Sequence, residues 1–256
     1  HASYRRQRQM CIRDRIPQDY NYEKLTDLDA NYLKGKRVGV LNSSESSEIE
    51  KGLIKKVKKV LEAKGAVIVD VEFNISSDYK AAKEFYVLLY EFNVGMKNYL
   101  KGRDLPYETL EDIVAFNEAN SDTVLKYFGQ EIFLESLKAT DTERYLKERE
   151  DIGRLAKAQI DSVLKVNNLD VIIGLTRNPG WLTDLENGDS RGDGGISWAN
   201  GGLSAVAGYP HITIPLDFVN NLPVGVSFLG TAWDEANLIN AAYSFEQENK
   251  FFPIPK

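Results

Sequence analysis

The chain has 256 residues, 43% of them hydrophobic and 27% charged, with a formal net charge of -6, and so can bury the core of one large domain. No run approaches the roughly 18 consecutive apolar residues that a membrane helix needs, and the opening lacks the apolar middle region of a signal peptide. An acidic balance also argues against a nucleic-acid backbone as the main partner.

The opening HASYRRQRQMCIRDR sets Arg5, Arg6, Arg8, Arg13 and Arg15 against Asp14 alone. An arginine-rich arm of this kind can grip nucleic acid, but RQRQMCIRDR resembles translated read-through of a sequencing adaptor. Residues 1–15 are therefore expected to be non-native and are set aside from the fold. They hold the only cysteine, Cys11, and one of the two histidines, His1. The rest of the chain then has His211 alone, which excludes an intrachain disulfide and a Cys/His zinc cluster.

From Arg37 the pattern reads strand, helix, strand. "RVGVL" comes first, followed by Ile49, Leu53, Ile54, Val57, Val60 and Leu61 at helical spacing and then "VIVDVEF" from Val67. Ser47 with Glu50 predicts a capping box and Gly65 a helix stop. Such a unit implies parallel pairing in an α/β sheet. Ser43, Ser44, Ser46 and Ser47 lack the glycines of a phosphate loop and read as helix capping.

Between Asp78 and Asn167 the chain reads as mostly helical. Its aromatic residues, among them Phe85, Tyr90, Phe92, Tyr99, Phe116, Tyr127 and Phe128, are expected to be core. A second capping box at Thr140 and Glu143 opens a helix with the stripe Ile152, Leu155, Ala156, Ile160, Val163 and Leu164. The buried-type strand "DVIIGL" begins at Asp170.

Thr176 to Leu203 then runs without a clear period and holds Trp181 and Trp198. Long irregular loops in compact domains tend to be functional, and this one follows the carboxyl end of a central strand, where open α/β sheets place their ligand crevices. The chain closes with strand "HITIPL", a turn around Asn220, Asn221 and Pro223, strand "VGVSFL", and a helix from about Asp234 with Thr231 and Asp234 as capping signals.

His211 is the first general-base suspect by its ordinary pKa, but its place at the start of a strand favours a structural role. No nucleophile elbow of the G-x-S-x-G kind occurs. The pairs Asp184 with Glu186 and Asp189 with Asp193 lack the spacing of a calcium loop and read as solvated acids. Gly192, Gly194 and Gly195 have no helix behind them to make a dinucleotide turn.

The segments "VIIGLTRNPGWLTDLENGD", "LSAVAGYPHITIP" and "LPVGVSFLGTAWDEANLINAAYSFEQ" resemble the carboxyl-terminal part of amidase signature family enzymes. The likeness extends back through "YEFNVGMKNYL", "LEDIVAFNEAN", "YFGQEIF" and "LKGKRVGVLN". "GLT" at Gly174–Thr176 departs from the "APT" common in the family, which bears on the local loop geometry.

The resemblance implies an α/β fold with a mixed, largely parallel sheet flanked by helices, residues 16–256 being the carboxyl-terminal part of a single domain. It also implies amide hydrolysis through an acyl-enzyme: a serine attacks, a second serine on a cis peptide relays the proton, and a lysine is the base. In the family these groups lie in the amino-terminal half, within a lysine-bearing strand and a G-G-S-S-G-G-like run. Neither "GDGGIS" nor "NGGLS" is such a run. The expectation is therefore a truncated amidase without a catalytic residue of its own, with no cofactor or metal, in which Thr176, Asn178 and Trp181 bind a small-molecule amide substrate. A homo-oligomer is left open. The reading is of a soluble protein whose compartment is left open, cytoplasmic being favoured over exported. The alternatives are a non-catalytic α/β small-molecule binding module and a transamidating amidotransferase subunit.

Overall fold

The computed structural model describes residues 25–42, 46–73, 83–186 and 201–252. The expectations for residues 1–15, for Ser43 and Ser44, and for Asp189, Asp193 and Gly192 to Gly195 lie outside them. Five strands form one sheet: β1 (Arg37–Leu41), β2 (Val67–Val71), β3 (Val171–Leu175), β4 (His211–Val219) and β5 (Leu222–Leu229). Their spatial order is β2-β1-β3-β5-β4. β1 is parallel to both β2 and β3, while β5 is antiparallel to both β3 and β4. Four strands thus run one way and β5 alone runs against them, which is the expected mixed, largely parallel α/β sheet.

Helix α1 (Glu48–Ala63) connects β1 to β2 and starts where the sequence says it should. Ser47 accepts from the Glu50 amide and the Glu50 side chain receives the Ser47 amide, so two otherwise orphaned donors are satisfied together. Gly65 ends the connection in a left-handed conformation, φ +71, which glycine adopts without a Cβ penalty. Helices α2 (Lys83–Leu100), α3 (Leu110–Ala119), α4 (Ser121–Val124), α5 (Glu131–Lys138) and α6 (Thr142–Val166) follow before β3. α7 (Gly202–Ala207) precedes β4, and α8 (Glu235–Asn249) follows β5.

Alternation along the strands divides the side chains between two faces. Val171, Ile173 and Leu175 of β3 join Val38, Val40, Ile214, Leu216, Val226 and Phe228 against α1 and α8. On the other face Ile172 and Leu229 pack with Ala156 and Ile160 of α6 and Leu203 and Ala207 of α7.

Three expectations are corrected. The cap of α6 is Asp141, whose carboxylate receives the Arg144 amide, and not Thr140. Neither Thr231 nor Asp234 caps α8: Asp234 occupies the cap position without a side-chain cap bond, and the Thr231 hydroxyl donates to Asp161. Many aromatic residues of α2 to α5 are not core, because these helices pack on one another and on α6, away from the sheet. Phe85, Phe92, Tyr99, Phe116, Tyr127 and Phe128 are exposed, and Tyr90 stacks on Tyr145 at 4.1 Å.

The main core has an aromatic keystone in Phe228 of β5 and Phe245 of α8, both fully buried and meeting edge-to-face at 5.7 Å. Phe245→Ala removes that contact and leaves a cavity, so it is expected to lower the unfolding free energy by about 3–5 kcal/mol in denaturant titration. A loss under about 1 kcal/mol would show that α8 does not pack as described.

Candidate functional site

The site grows from the β4–β5 hairpin. Asn220 and Asn221 are both left-handed, φ 50 and 63, the conformation a two-residue hairpin turn needs and one asparagine tolerates. From the turn, Val219 faces Leu222 and Asp217 faces Val224; beyond a register shift Pro215 faces Gly225 and Thr213 faces Ser227. Leu216 is the extra residue of a β-bulge beside Pro215, which has no amide hydrogen to give the ladder. β3 pairs Gly174 with Ser227, and the Thr176 amide donates to the Gly225 carbonyl at 2.9 Å.

This register brings three hydroxyls together at the carboxyl end of β3. Ser227 donates to Thr176 at 2.8 Å, Thr176 donates to Thr213 at 3.4 Å, and Thr213 and Ser227 are 3.2 Å apart. Ser227 is fully buried, Thr176 partly exposed and Thr213 exposed, so the cluster runs from the core to the surface. Gly225 lets the Thr213 and Thr176 side chains pack directly over its backbone. A Cβ there would meet the Thr213 methyl at 2.8 Å and the Thr176 hydroxyl at 2.9 Å.

Of the three expected site residues, Thr176 is thus joined to partners that no sequence pattern marked, Thr213 and Ser227. Asn178 is buried, 7% exposed, and its side-chain amide donates to its neighbour's carbonyl, Pro179, at 3.4 Å, not to Thr176. Trp181 is half-buried two residues beyond Pro179. The expected loop to Leu203 is shorter, since α7 begins at Gly202. Asp184 accepts the Glu186 amide at 3.0 Å in a local turn, and the described residues include no group of His, Cys, Asp and Glu able to hold a metal ion.

His211 precedes Thr213 by two residues on the same strand face, where it borders Gly201 at the entry to α7. No hydrogen bond joins it to the three hydroxyls, its Nε2 is buried without a partner, and burial lowers the pKa of its imidazole. His211 thus lies beside the site without a hydrogen bond to it.

At the opposite end of the strands lies a cavity of about 570 Å³ bordered by Lys36, Asp161, Asp170 and Asp234. Its carboxylates are already engaged. Asp161 accepts from Tyr209 and Thr231, Asp170 from Lys36 and the Arg37 amide, and Asp234 from Asn237. Burial raises the Asp234 carboxyl above its ordinary value. The network ties α6, α8 and the ends of β1 and β3 together, and we read it as structural.

The family model described as Amidase matches residues 6–239. A probable amidase of Arabidopsis thaliana is 27% identical over 90% of this chain and 41% of its own length. A glutamyl-tRNA(Gln) amidotransferase subunit of Exiguobacterium sibiricum is 27% identical over 96% of this chain and 52% of its own. The structure of native peptide amidase from Stenotrophomonas maltophilia superposes with a TM-score of 0.78 at 33% identity, over 93% of this chain and 47% of that one. The chain spans about half the length of these relatives.

The depressed pKa of His211 has a signed consequence. Between its folded and unfolded values the unfolded chain binds more protons, so stability is full above about pH 6.5 and falls as acid is added. His211→Gln is expected to shrink the drop in Tm between about pH 7.5 and about pH 5. An unchanged drop in thermal scans would show that His211 titrates alike in both states.

Proposed function

We propose, because this chain belongs to the amidase family, that it forms the carboxyl-terminal part of an enzyme cleaving or transferring carbon–nitrogen amide bonds, with Thr176, Asn178 and Trp181 bordering the substrate cleft. The observation that carries the reading is the hydroxyl cluster at the carboxyl end of β3, which reaches the surface at Thr213 and packs closely over Gly225. It is a surface suited to hold a small polar group.

The chemistry this surface can supply is binding. A hydroxyl becomes a useful nucleophile only when a base takes its proton, and Ser227, Thr176 and Thr213 have only one another. Among the described residues no lysine is hydrogen-bonded to a serine hydroxyl. Ser47 caps α1, Ser244 donates to the Ala30 carbonyl, and the Ser136 and Ser204 hydroxyls are buried without partners. We therefore assign the attacking serine, the relay serine and the lysine base of the family reaction to the stretch of the relatives that this chain does not match. Backbone amides there would hold the oxyanion.

The 33% identity to peptide amidase makes a peptide-like amide the substrate class we favour. The match to an amidotransferase subunit over 96% of this chain makes amide transfer the second reading. The 256-residue chain on its own is expected to show no turnover of a simple aryl amide above the uncatalysed rate in a chromogenic assay. Turnover that disappears in Ser227→Ala would place the nucleophile in this chain and overturn the assignment.

A further inference from the structure

We propose that the hydroxyls of Thr176, Thr213 and Ser227 form a closed, one-way ring that presents only acceptors outward, and that this ring receives an N–H of the amide ligand. The proposal rests on the reading that Thr176 borders the substrate cleft. Each hydroxyl carries one proton and two lone pairs. Ser227 spends its proton on Thr176 and Thr176 spends its own on Thr213. The contact between Thr213 and Ser227 has two possible directions, but Ser227 has no proton left, so Thr213 must donate.

The ring is then complete: every hydroxyl gives once and accepts once. One lone pair per oxygen remains. That of Ser227 is shut in the core, whereas Thr213 is exposed and Thr176 partly so, and the outward lone pairs belong to these two. Hydrogen bonds linked head to tail polarise one another and strengthen the remaining acceptors.

This gives the surface a chemical preference. A ligand N–H meets a free lone pair with the ring intact. A ligand offering only carbonyl oxygens must pull a proton out of the ring and leave a buried hydroxyl short of a partner, which is penalised. An amide is thereby distinguished from the ester of the same shape. Gly225 enters the same account, since a Cβ at that position would press on both the Thr213 methyl and the Thr176 hydroxyl.

The test uses the 256-residue chain with its threonine methyls isotopically labelled, titrated with benzamide and separately with methyl benzoate. Benzamide is expected to produce saturable shifts of the Thr176 and Thr213 methyl signals, with methyl benzoate weaker by roughly tenfold. In Thr213→Val, which removes the surface donor and acceptor at nearly constant shape, the preference for benzamide should vanish, while Thr213→Ser should retain it. Equal binding of the two probes by the unaltered chain overturns the proposal. Benzamide shifts at the Trp181 indole without shifts at the two methyls overturn it but leave the cleft reading standing. No shift at any of these positions overturns both.

Discussion

One inserted residue governs the sheet. Side chains alternate along a strand, so a slip of a single residue exchanges the two faces. Counting back from the Asn220–Asn221 turn in one unbroken register, with Leu216 paired like its neighbours, would set Thr213 against Phe228 and bring a hydroxyl to the face that α1 and α8 cover. With the bulge, Ile214, Leu216 and Val219 all reach the main core with Val224, Val226 and Phe228. Thr213 instead faces Ser227 on the other side.

The two ends of that second face differ because, among the described residues, helices pack on one of them and not on the other. Near Ile172 and Leu229, α6 and α7 supply apolar side chains. Further along, the floor is small and polar, made by Gly174, Gly225, Ser227, Thr213 and Thr176. At the far end of the strands, the network of Lys36, Asp161, Asp170 and Asn237 joins elements that are distant in sequence. The molecule thus clamps one end of its strands with paired charges and leaves neutral hydroxyls at the end where β3 meets its loop.

The local part of this arrangement was legible in the sequence. The capping box at Ser47 and Glu50, the stop at Gly65, the strands at Arg37, Val67 and Asp170, and the Asn220–Asn221 turn are written in residues a few positions apart. The segments that resemble the amidase signature family identified the lineage, and Thr176 was singled out from its place after a central strand. What was not legible depends on contacts between distant residues. Nothing in "HITIPLDFV" states that Leu216 is skipped in the ladder, so the pairing of Thr213 with Ser227 could not be read. Aromatic residues at helical spacing look alike whether they meet the sheet, as Phe245 of α8 meets it, or face outward, as Phe85, Phe116 and Tyr127 do. Thr140 and Asp141 are both good caps, and only the geometry of the first turn selects Asp141.

The register of the β4–β5 hairpin in solution is the most direct test of this account. Nuclear Overhauser cross-peaks between backbone protons of facing residues report it without any ligand or variant. The account predicts cross-peaks joining Thr213 to Ser227 and Pro215 to Gly225, together with Val219 to Leu222 on the turn side of Leu216. Cross-peaks joining Thr213 to Phe228 instead, with one unbroken register from the turn, would remove the bulge and separate the three hydroxyls, and the account would fail.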